Sequence, residues 1–362
     1  MAVHPLQRNH LTARSLEGWF DTGNKTKPTK TRQKLNRRSV LSGKSAPKSE
    51  RSSGQSVAFF PSPNHGDVSL PSDLQLMKGK VVLITGASSG IGKETAMGLA
   101  KMGASLVLVC RDREKGETAK EQIARAAGNV SIDLFQADLL PQREVRRVAA
   151  EIKATYPRLD VLVNNAGASF MDYAETEDGI ERTMAINYFT PFLLTNLLLE
   201  TLRNSAPSRV VNVTSSEHYN ARLDIDNINK DSRMGTVGSD AYRRSKLTVI
   251  LFTYELARRL QGTGVTANCL HPGAVRTKMW DNAGALTPLF RFMSLFMLSA
   301  EKGAQTSIYL ASSPEVEGVS GKYFDKKMPK RSSGTSYDEA LAKRLWDLSE
   351  RTTGLVAAPG LA

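Results

Sequence analysis

Short apolar runs and longer amphipathic stretches take turns along the chain from residue 79 onward. Val81-Val82-Leu83-Ile84 ends in a glycine-rich turn, and a helix over about 90–103 follows, closed by Gly103. The beat repeats with Ser105–Cys110 and a charged helix over 113–127, then Val130–Gln136 and a helix over 142–155. Leu159–Asn164 precedes a largely helical stretch over 176–204, bent near Pro191. Arg209–Thr214, a long helix over 239–261, Val265–His271, a helix over Gly303–Ser312 and a short strand over Gly321–Phe324 complete the pattern. Continuous apolar runs of this length read as strands buried on both faces. Strands alternating with helices build a parallel sheet, and right-handed crossovers cover both of its faces. The expected fold class is therefore α/β: a doubly wound parallel sheet forming one domain over 77–350. Ligands of such sheets bind beyond the carboxyl ends of the strands. The glycine turn, Arg111, Asp138, Asn165 and Ser215 all fall there.

Residues 1–76 break the pattern. They hold 12 of the 49 Lys/Arg but only 5 of the 36 Asp/Glu, with few large apolar side chains and no sustained periodicity. Such a composition buries too little apolar surface to offset the entropy of ordering, so a disordered basic extension is expected. Three readings of it stay open: an organelle-targeting segment, a basic arm for nucleic acid or membrane, or a dispensable extension or misassigned start before a domain beginning at Met77. No apolar stretch of the secretory kind follows the N-terminal charges, and residues 351–362 read as a tail. The net charge is +13. Its remainder beyond residue 76 suits an anionic cofactor, an anionic membrane surface or a merely solvated face. Cys110 and Cys269 lie near the ends of apolar runs and read as small buried residues. They form no disulfide framework, and no metal-ligand spacing is present.

The chemistry concentrates at the strand ends. Gly86, Gly90 and Gly92 lie in Thr85-Gly86-Ala87-Ser88-Ser89-Gly90-Ile91-Gly92, between a strand and a helix. Glycines let the backbone approach a phosphate, and the helix N-terminus favours the anion. Ser88, Ser89 and Ile91 belong to the same turn. Arg111 follows the second strand, where an acid would bind the 2′-hydroxyl of NAD and an Arg accommodates the 2′-phosphate of NADP. That favours NADP, although Asp112 stands beside it. Asp138, next to Leu139, ends the third strand and suits either a hydrogen bond from an adenine amino group or an ordinary turn. Asn165, Ala166 and Gly167 end the fourth strand, where small and amide residues allow a cofactor to lie close. Ser215 ends the fifth. Tyr242 and Lys246 sit one helical turn apart on one face. A phenol beside an ammonium is expected to ionise more easily, giving a proton donor and acceptor usable near neutral pH.

Taken together, these motifs resemble the short-chain dehydrogenases/reductases, over about residues 79–325. The resemblance rests on the glycine motif, Asn164-Asn165-Ala166-Gly167, Ser215, the Tyr242/Lys246 pair, and Pro272-Gly273 with Thr277. It implies a Rossmann fold and hydride transfer between a nicotinamide cofactor and a carbonyl or alcohol. It further implies Tyr242 as general acid/base, Lys246 on the nicotinamide ribose, Ser215 on the carbonyl, with Ser216 as the alternative serine, and Asn187 in a proton relay. Pro272, Gly273 and Thr277 would then hold the nicotinamide. Within the family the chain looks most like the retinol dehydrogenase-like branch, through Asn187–Thr195, Arg209–Ser215 and Glu255–Leu260. The 27-residue step from Ser215 to Tyr242 fits that branch as well. Tyr188 departs from it, standing where His is common. Homodimers or tetramers are implied by the family, and nucleic acid is not an expected partner.

The apolar stretch Leu286–Ala300 follows the sixth strand and suits a cover for an apolar substrate such as a retinal-like aldehyde, or a shallow membrane contact. It is too short to span a bilayer. The expected location is cytoplasmic or at a membrane periphery, with organelle targeting by residues 1–76 left open. A protochlorophyllide reductase-like enzyme and a catalytically silent dinucleotide-binding scaffold are the rival readings.

Overall fold

The computed structural model describes residues 75–128, 130–170, 172–228, 240–274 and 298–355. The extension up to residue 74, Thr277, most of the apolar stretch 286–300 and residues 356–362 lie outside the described residues. The eight-stranded sheet has the order β3-β2-β1-β4-β5-β6-β7-β8. Its strands are β1 (Val81–Thr85), β2 (Ser105–Cys110), β3 (Ile132–Gln136), β4 (Val161–Asn164), β5 (Ser208–Val213), β6 (Val265–His271), β7 (Tyr323–Asp325) and β8 (Met328–Lys330). All neighbours pair in parallel except β7 and β8. The order reverses direction between β1 and β4, which opens a crevice at the carboxyl ends of those strands.

Alternation along each strand sorts the apolar side chains between two cores. Leu83, Val107, Leu162, Val210 and Ala267 face one side, where α3 (Gln142–Thr155), α4 (Thr190–Asn204) and α5 (Asp240–Arg259) cover them. Val82, Ile84, Leu106, Leu108, Val163 and Val211 face the other. There α1 (Gly90–Lys101), α2 (Arg113–Ala127) and α6 (Ala300–Ser312) close the layer. The last helix, α7 (Glu339–Thr352), lies against α5 and buries Trp346 beside Phe192 and Phe252. Met77 is buried too, and its amide donates to Met102 O at 3.0 Å. The strands and helices therefore follow the apolar pattern closely. Neither β8, an exposed antiparallel edge, nor α7 has a counterpart in that pattern. A three-residue edge strand buries too little to leave an apolar signature, and the polar face of α7 masks its apolar stripe.

The stretch expected to be helical over 176–204 is corrected in two ways. Residues 176–181 form a turn, with a bridge between Glu175 and Glu181 rather than a helix. The irregularity expected at Pro191 falls earlier, where Arg182–Met184 runs into a π-helical turn at Ala185–Phe189 before α4 begins. Proline has no N–H, so the α-helical donor to the carbonyl of Asn187, four residues back, does not exist. Pro191 itself sits harmlessly in the first turn of α4.

Tyr188 is fully buried among Phe189, Phe192 and Phe252, with its hydroxyl bonded to Ser349 Oγ at 2.6 Å. The departure from histidine at this position therefore belongs to the core, linking the π-turn to α7, and does not reach the strand-end crevice.

Candidate active site

The glycine turn leaves β1 at Gly86, which has φ +69°, and enters α1 at Gly90, with φ +57°. Both values favour glycine. A Cβ at Gly90 would meet nothing within 4 Å, so the first turn of α1 stands open on that side. Gly92 is tighter, because a Cβ there would lie 2.4 Å from Asn165 Nδ2 and 2.5 Å from Gly86 O. Asn165 explains the crowding. Its amide donates to Thr85 O at 2.8 Å and Gly86 O at 3.3 Å. The amides of Asn165 and Ala166 both donate to Thr85 Oγ1, at 3.1 and 3.0 Å. Asn165 thus fastens the turn to the end of β4, and Thr85, just ahead of the glycines, is the other half of the fastening.

At the end of β2, Arg111 is exposed, and its guanidinium makes no ion pair among the described residues. Asp112 is committed elsewhere. Its carboxylate caps α2 by accepting from Lys115 N at 3.1 Å and pairs with Lys115 Nζ, which holds it below the usual carboxylate range. Around Arg111 a polar hollow is lined by Arg113, Gln136, Asp138 and Arg147. Asp138 spends one oxygen on the Leu140 amide at 3.1 Å, as a turn aspartate does, and Leu139 is buried behind it.

Ser215, Tyr242, Lys246 and Asn187 come together at the ends of β4 and β5. Thr214 Oγ1 donates to Lys246 O at 2.6 Å, docking α5 against β5. Ser215 is extended, with φ −152° and ψ 156°, and its hydroxyl hydrogen-bonds the Tyr242 phenol. Lys246 Nζ lies 5.4 Å from the centre of the Tyr242 ring and donates to Val213 O at 3.2 Å. Asn187 is buried. Its Nδ2 donates to Ala168 O at 2.8 Å and Ser245 Oγ at 3.0 Å, while its Oδ1 accepts from Ala168 N at 2.8 Å. Ser245 in turn donates to Tyr242 O at 2.7 Å. Gly167 completes the packing, since a Cβ there would stand 2.9 Å from Asn187 Oδ1 and 3.5 Å from Lys246 Nζ. Gly273 follows β6 and Pro272 with φ +88°, and Leu298 lies against it.

The electrostatics correct one expectation. The protein raises the Tyr242 phenol rather than lowering it, because burial removes the water that would solvate a phenolate and Glu217 adds repulsion. The hydrogen bond from Ser215 opposes this but does not reverse it. Lys246 is itself pushed down to about 8 by burial. Tyr242 is thus a protonated phenol at neutral pH, suited to giving a proton away.

The Lys246 shift carries a stability signature. Its folded value of about 8 lies below the ordinary 10.5. Between those values the unfolded chain binds a proton that the folded chain does not, so stability rises with pH across that window. Wild type is expected to gain roughly 2–3 kcal/mol more than Lys246→Met between pH 7.5 and 10.5, measured by chemical denaturation. Parallel pH dependences in the two proteins would contradict a buried ammonium.

A dinucleotide fits this edge of the sheet: glycines open the α1 N-terminus, a cation stands at the β2 end, and a phenol with an ammonium stands beyond β5. The sequence profile of the short chain dehydrogenase family matches residues 80–286. Retinol dehydrogenase 14 of Homo sapiens is 44% identical over 301 residues, covering 78% of this chain and 89% of the human protein. Among solved structures, an uncharacterised protein from Mycobacterium paratuberculosis superposes with a TM-score of 0.63 at 32% identity, covering 78% of this chain and 96% of that one. The Pseudomonas aeruginosa RhlG/NADP active-site complex gives 0.57 at 27% identity, covering 69% and 96%. Fold and site define an oxidoreductase of alcohols and carbonyls that uses NAD(P). The chain belongs to the short-chain dehydrogenase family, in its retinol dehydrogenase-like branch.

Among the described residues no cluster could hold a metal ion, and no helix is long and apolar enough to cross a membrane.

Proposed function

We propose that the protein is an NADP-dependent reductase of apolar aldehydes or ketones, retinal-like in character, with Tyr242 as the proton donor. The observation that carries this reading is the meeting of Ser215, Tyr242 and Lys246 beside the glycine turn, with the phenol held in its protonated form. NADPH supplies the hydride. Gly86, Ser88, Ser89, Gly90, Ile91 and Gly92 receive its pyrophosphate, and Asp138 and Leu139 border the adenine. Asn165, Ala166 and Gly167 form the close wall, and Pro272, Gly273 and Thr277 border the nicotinamide. Ser215 and Tyr242 hydrogen-bond the substrate oxygen, and Tyr242 releases its proton as negative charge develops there. Lys246 lies close enough to stabilise the phenolate left behind. Asn187 keeps the loop at Ala168 in place, and its carbonyl, deprived of an α-helical donor by Pro191, would hold a water that returns the proton. The apolar substrate class rests on the composition of 286–300 and on the branch to which the relatives belong.

Purified protein incubated with a panel of apolar and polar aldehydes should oxidise NADPH with the apolar ones. Turnover confined to small polar substrates, or none with any aldehyde, would overturn the reading.

The choice of NADP rests on Arg111. Asp112, the acid next to Arg111, is engaged within the protein, capping α2 and pairing with Lys115. A charge-assisted hydrogen bond contributes about 1.5–3 kcal/mol. Arg111→Ala is therefore expected to lower kcat/KM for NADPH by about 10- to 100-fold while changing that for NADH little. Equal losses with both cofactors would remove Arg111 from 2′-phosphate recognition.

A further inference from the structure

The peptide unit that joins Ser215 to Ser216 is held at both ends by imidazoles. Its carbonyl, Ser215 O, lies 2.6 Å from His218 Nδ1 and also accepts from the His218 amide at 3.3 Å. Its N–H, that of Ser216, donates to His271 Nδ1 at 3.2 Å. The other nitrogen of His218 accepts from the Ser333 amide at 3.2 Å. A backbone N–H can only donate and a carbonyl can only accept, so the contacts select one tautomer of His218: Nδ1 carries the proton and Nε2 is bare. His218 is completely buried, its ring lying 4.0 Å from that of Tyr219 and 5.0 Å from that of Tyr323. Burial keeps both His218 and His271 below the ordinary imidazole range, consistent with two neutral rings.

The ring is held from a distant part of the chain. Ser333 belongs to a short strap after β8, in which Ser332 Oγ bonds Tyr254 Oη at 2.8 Å and Ser336 Oγ at 2.6 Å. Tyr219 Oη donates to Arg331 O at 2.5 Å, a second tie between the same two segments.

We propose that His218 is a positioning residue for reduction: seated on the Ser333 amide, it fixes the Ser215 carbonyl and thereby aims the Ser215 hydroxyl at Tyr242 and the substrate oxygen. The proposal rests on the role given to Ser215 above. It needs no contact between His218 and substrate. Rotation of the Ser215–Ser216 peptide would swing the hydroxyl away from the phenol, and a displacement of about 1 Å at a reacting group can cost 10²-fold in rate.

Two polar variants separate the two hydrogen bonds. An Asn amide reaches the place of Nδ1 and retains a donor for Ser215 O, while a Gln amide reaches the place of Nε2 and offers an acceptor to Ser333 but nothing to Ser215. His218→Gln is expected to lower kcat by about 10- to 100-fold, with NADPH affinity measured by fluorescence titration unchanged. His218→Asn should recover most of that loss. In a Ser215→Ala background, His218→Gln should cause little further loss, because both changes act through one hydroxyl. The idea is overturned if Gln keeps wild-type kcat, if Asn is no better than Gln, or if the two losses multiply independently. Should either variant fail to fold, Tyr219→Phe, which removes only the outer tie to Arg331, is expected to lower kcat several-fold at unchanged NADPH affinity, and wild-type kcat there also overturns it. Loss in Ser215→Ala with none in His218→Gln refutes this inference alone. Undiminished turnover in both Ser215→Ala and Tyr242→Phe refutes the proposed function itself.

Discussion

Tyr242→Phe is expected to bring turnover close to zero while leaving NADPH binding nearly intact. The change deletes one hydroxyl from a ring that keeps its place on α5, so the fold and the glycine turn are untouched. On the proposed mechanism, what disappears is the proton given to the substrate oxygen and one of the two hydrogen bonds to it. General acid catalysis contributes about 10²- to 10⁴-fold, and loss of a donor to the developing oxyanion adds about 10²- to 10³-fold. The two contributions share one group and do not multiply fully, so a fall of roughly 10³-fold or more in kcat is expected. Steady-state rates with an apolar aldehyde, beside a fluorescence titration of NADPH, provide the check. A variant within ten-fold of wild type would take Tyr242 out of the chemistry. The raised phenol pKa makes a second demand on the same residue. Because the protein alone keeps Tyr242 protonated, reduction should stay active as pH falls through neutrality. Oxidation of the alcohol, which needs Tyr242 to accept a proton, should be favoured at higher pH.

The second large effect belongs to Gly92. An Ala there would set its methyl 2.4 Å from Asn165 Nδ2 and 2.5 Å from Gly86 O. Neither is the free end of a flexible side chain: one is bonded to Thr85 O and the other is backbone. Relief requires the glycine turn to part from the end of β4, breaking the fastening that shapes the cofactor cradle. Overpacking of this kind costs about 1–3 kcal/mol. Gly92→Ala is expected to lower stability by that amount in chemical denaturation and to weaken NADPH binding by at least ten-fold. Gly90→Ala is the contrast. Its methyl would meet nothing within 4 Å, so only the backbone strain of φ +57° remains. Equal stability of Gly92→Ala and wild type would mean that the turn is not held as described.

Much of the site was legible because its signals are local. Tyr242 and Lys246 are four residues apart on one helix, and the glycines lie within one turn, so spacing alone brings each group together. Arg111, Asp138, Asn165 and Ser215 follow apolar runs, and the strand-end rule gathers them before any coordinates are known. Other features had no local signature. Asn165 read as a wall of the cofactor site, and its side chain also holds the glycine turn. Asp112 looked like a competitor for the ribose, yet it caps α2. Tyr188 stood out only as a departure from histidine, and it ends at Ser349 in the core. His218 drew no notice at all. Its proximity to Ser215 in sequence was visible, but its partner Ser333 lies 115 residues away.

Sequence alone sufficed for the succession of strands up to β7 with most of the helices between them, for the two-faced sheet and for the set of groups gathered at its carboxyl edge, but not for β8, α7 or the turn over 176–181. Hydrophobic periodicity and short spacings report on geometry within a turn or two of chain, and the former features are settled at that range. Only the tertiary structure decided what these side chains are tied to: Asn165 to the glycine turn, Asp112 to the start of α2 and Tyr188 to Ser349 in the core. It also decided the direction of the Tyr242 and Lys246 shifts, because burial is created by segments that meet from far apart. A phenol next to an ammonium is acidified in water, but here both groups are enclosed, and the cost of removing water from a charge raises the one and lowers the other.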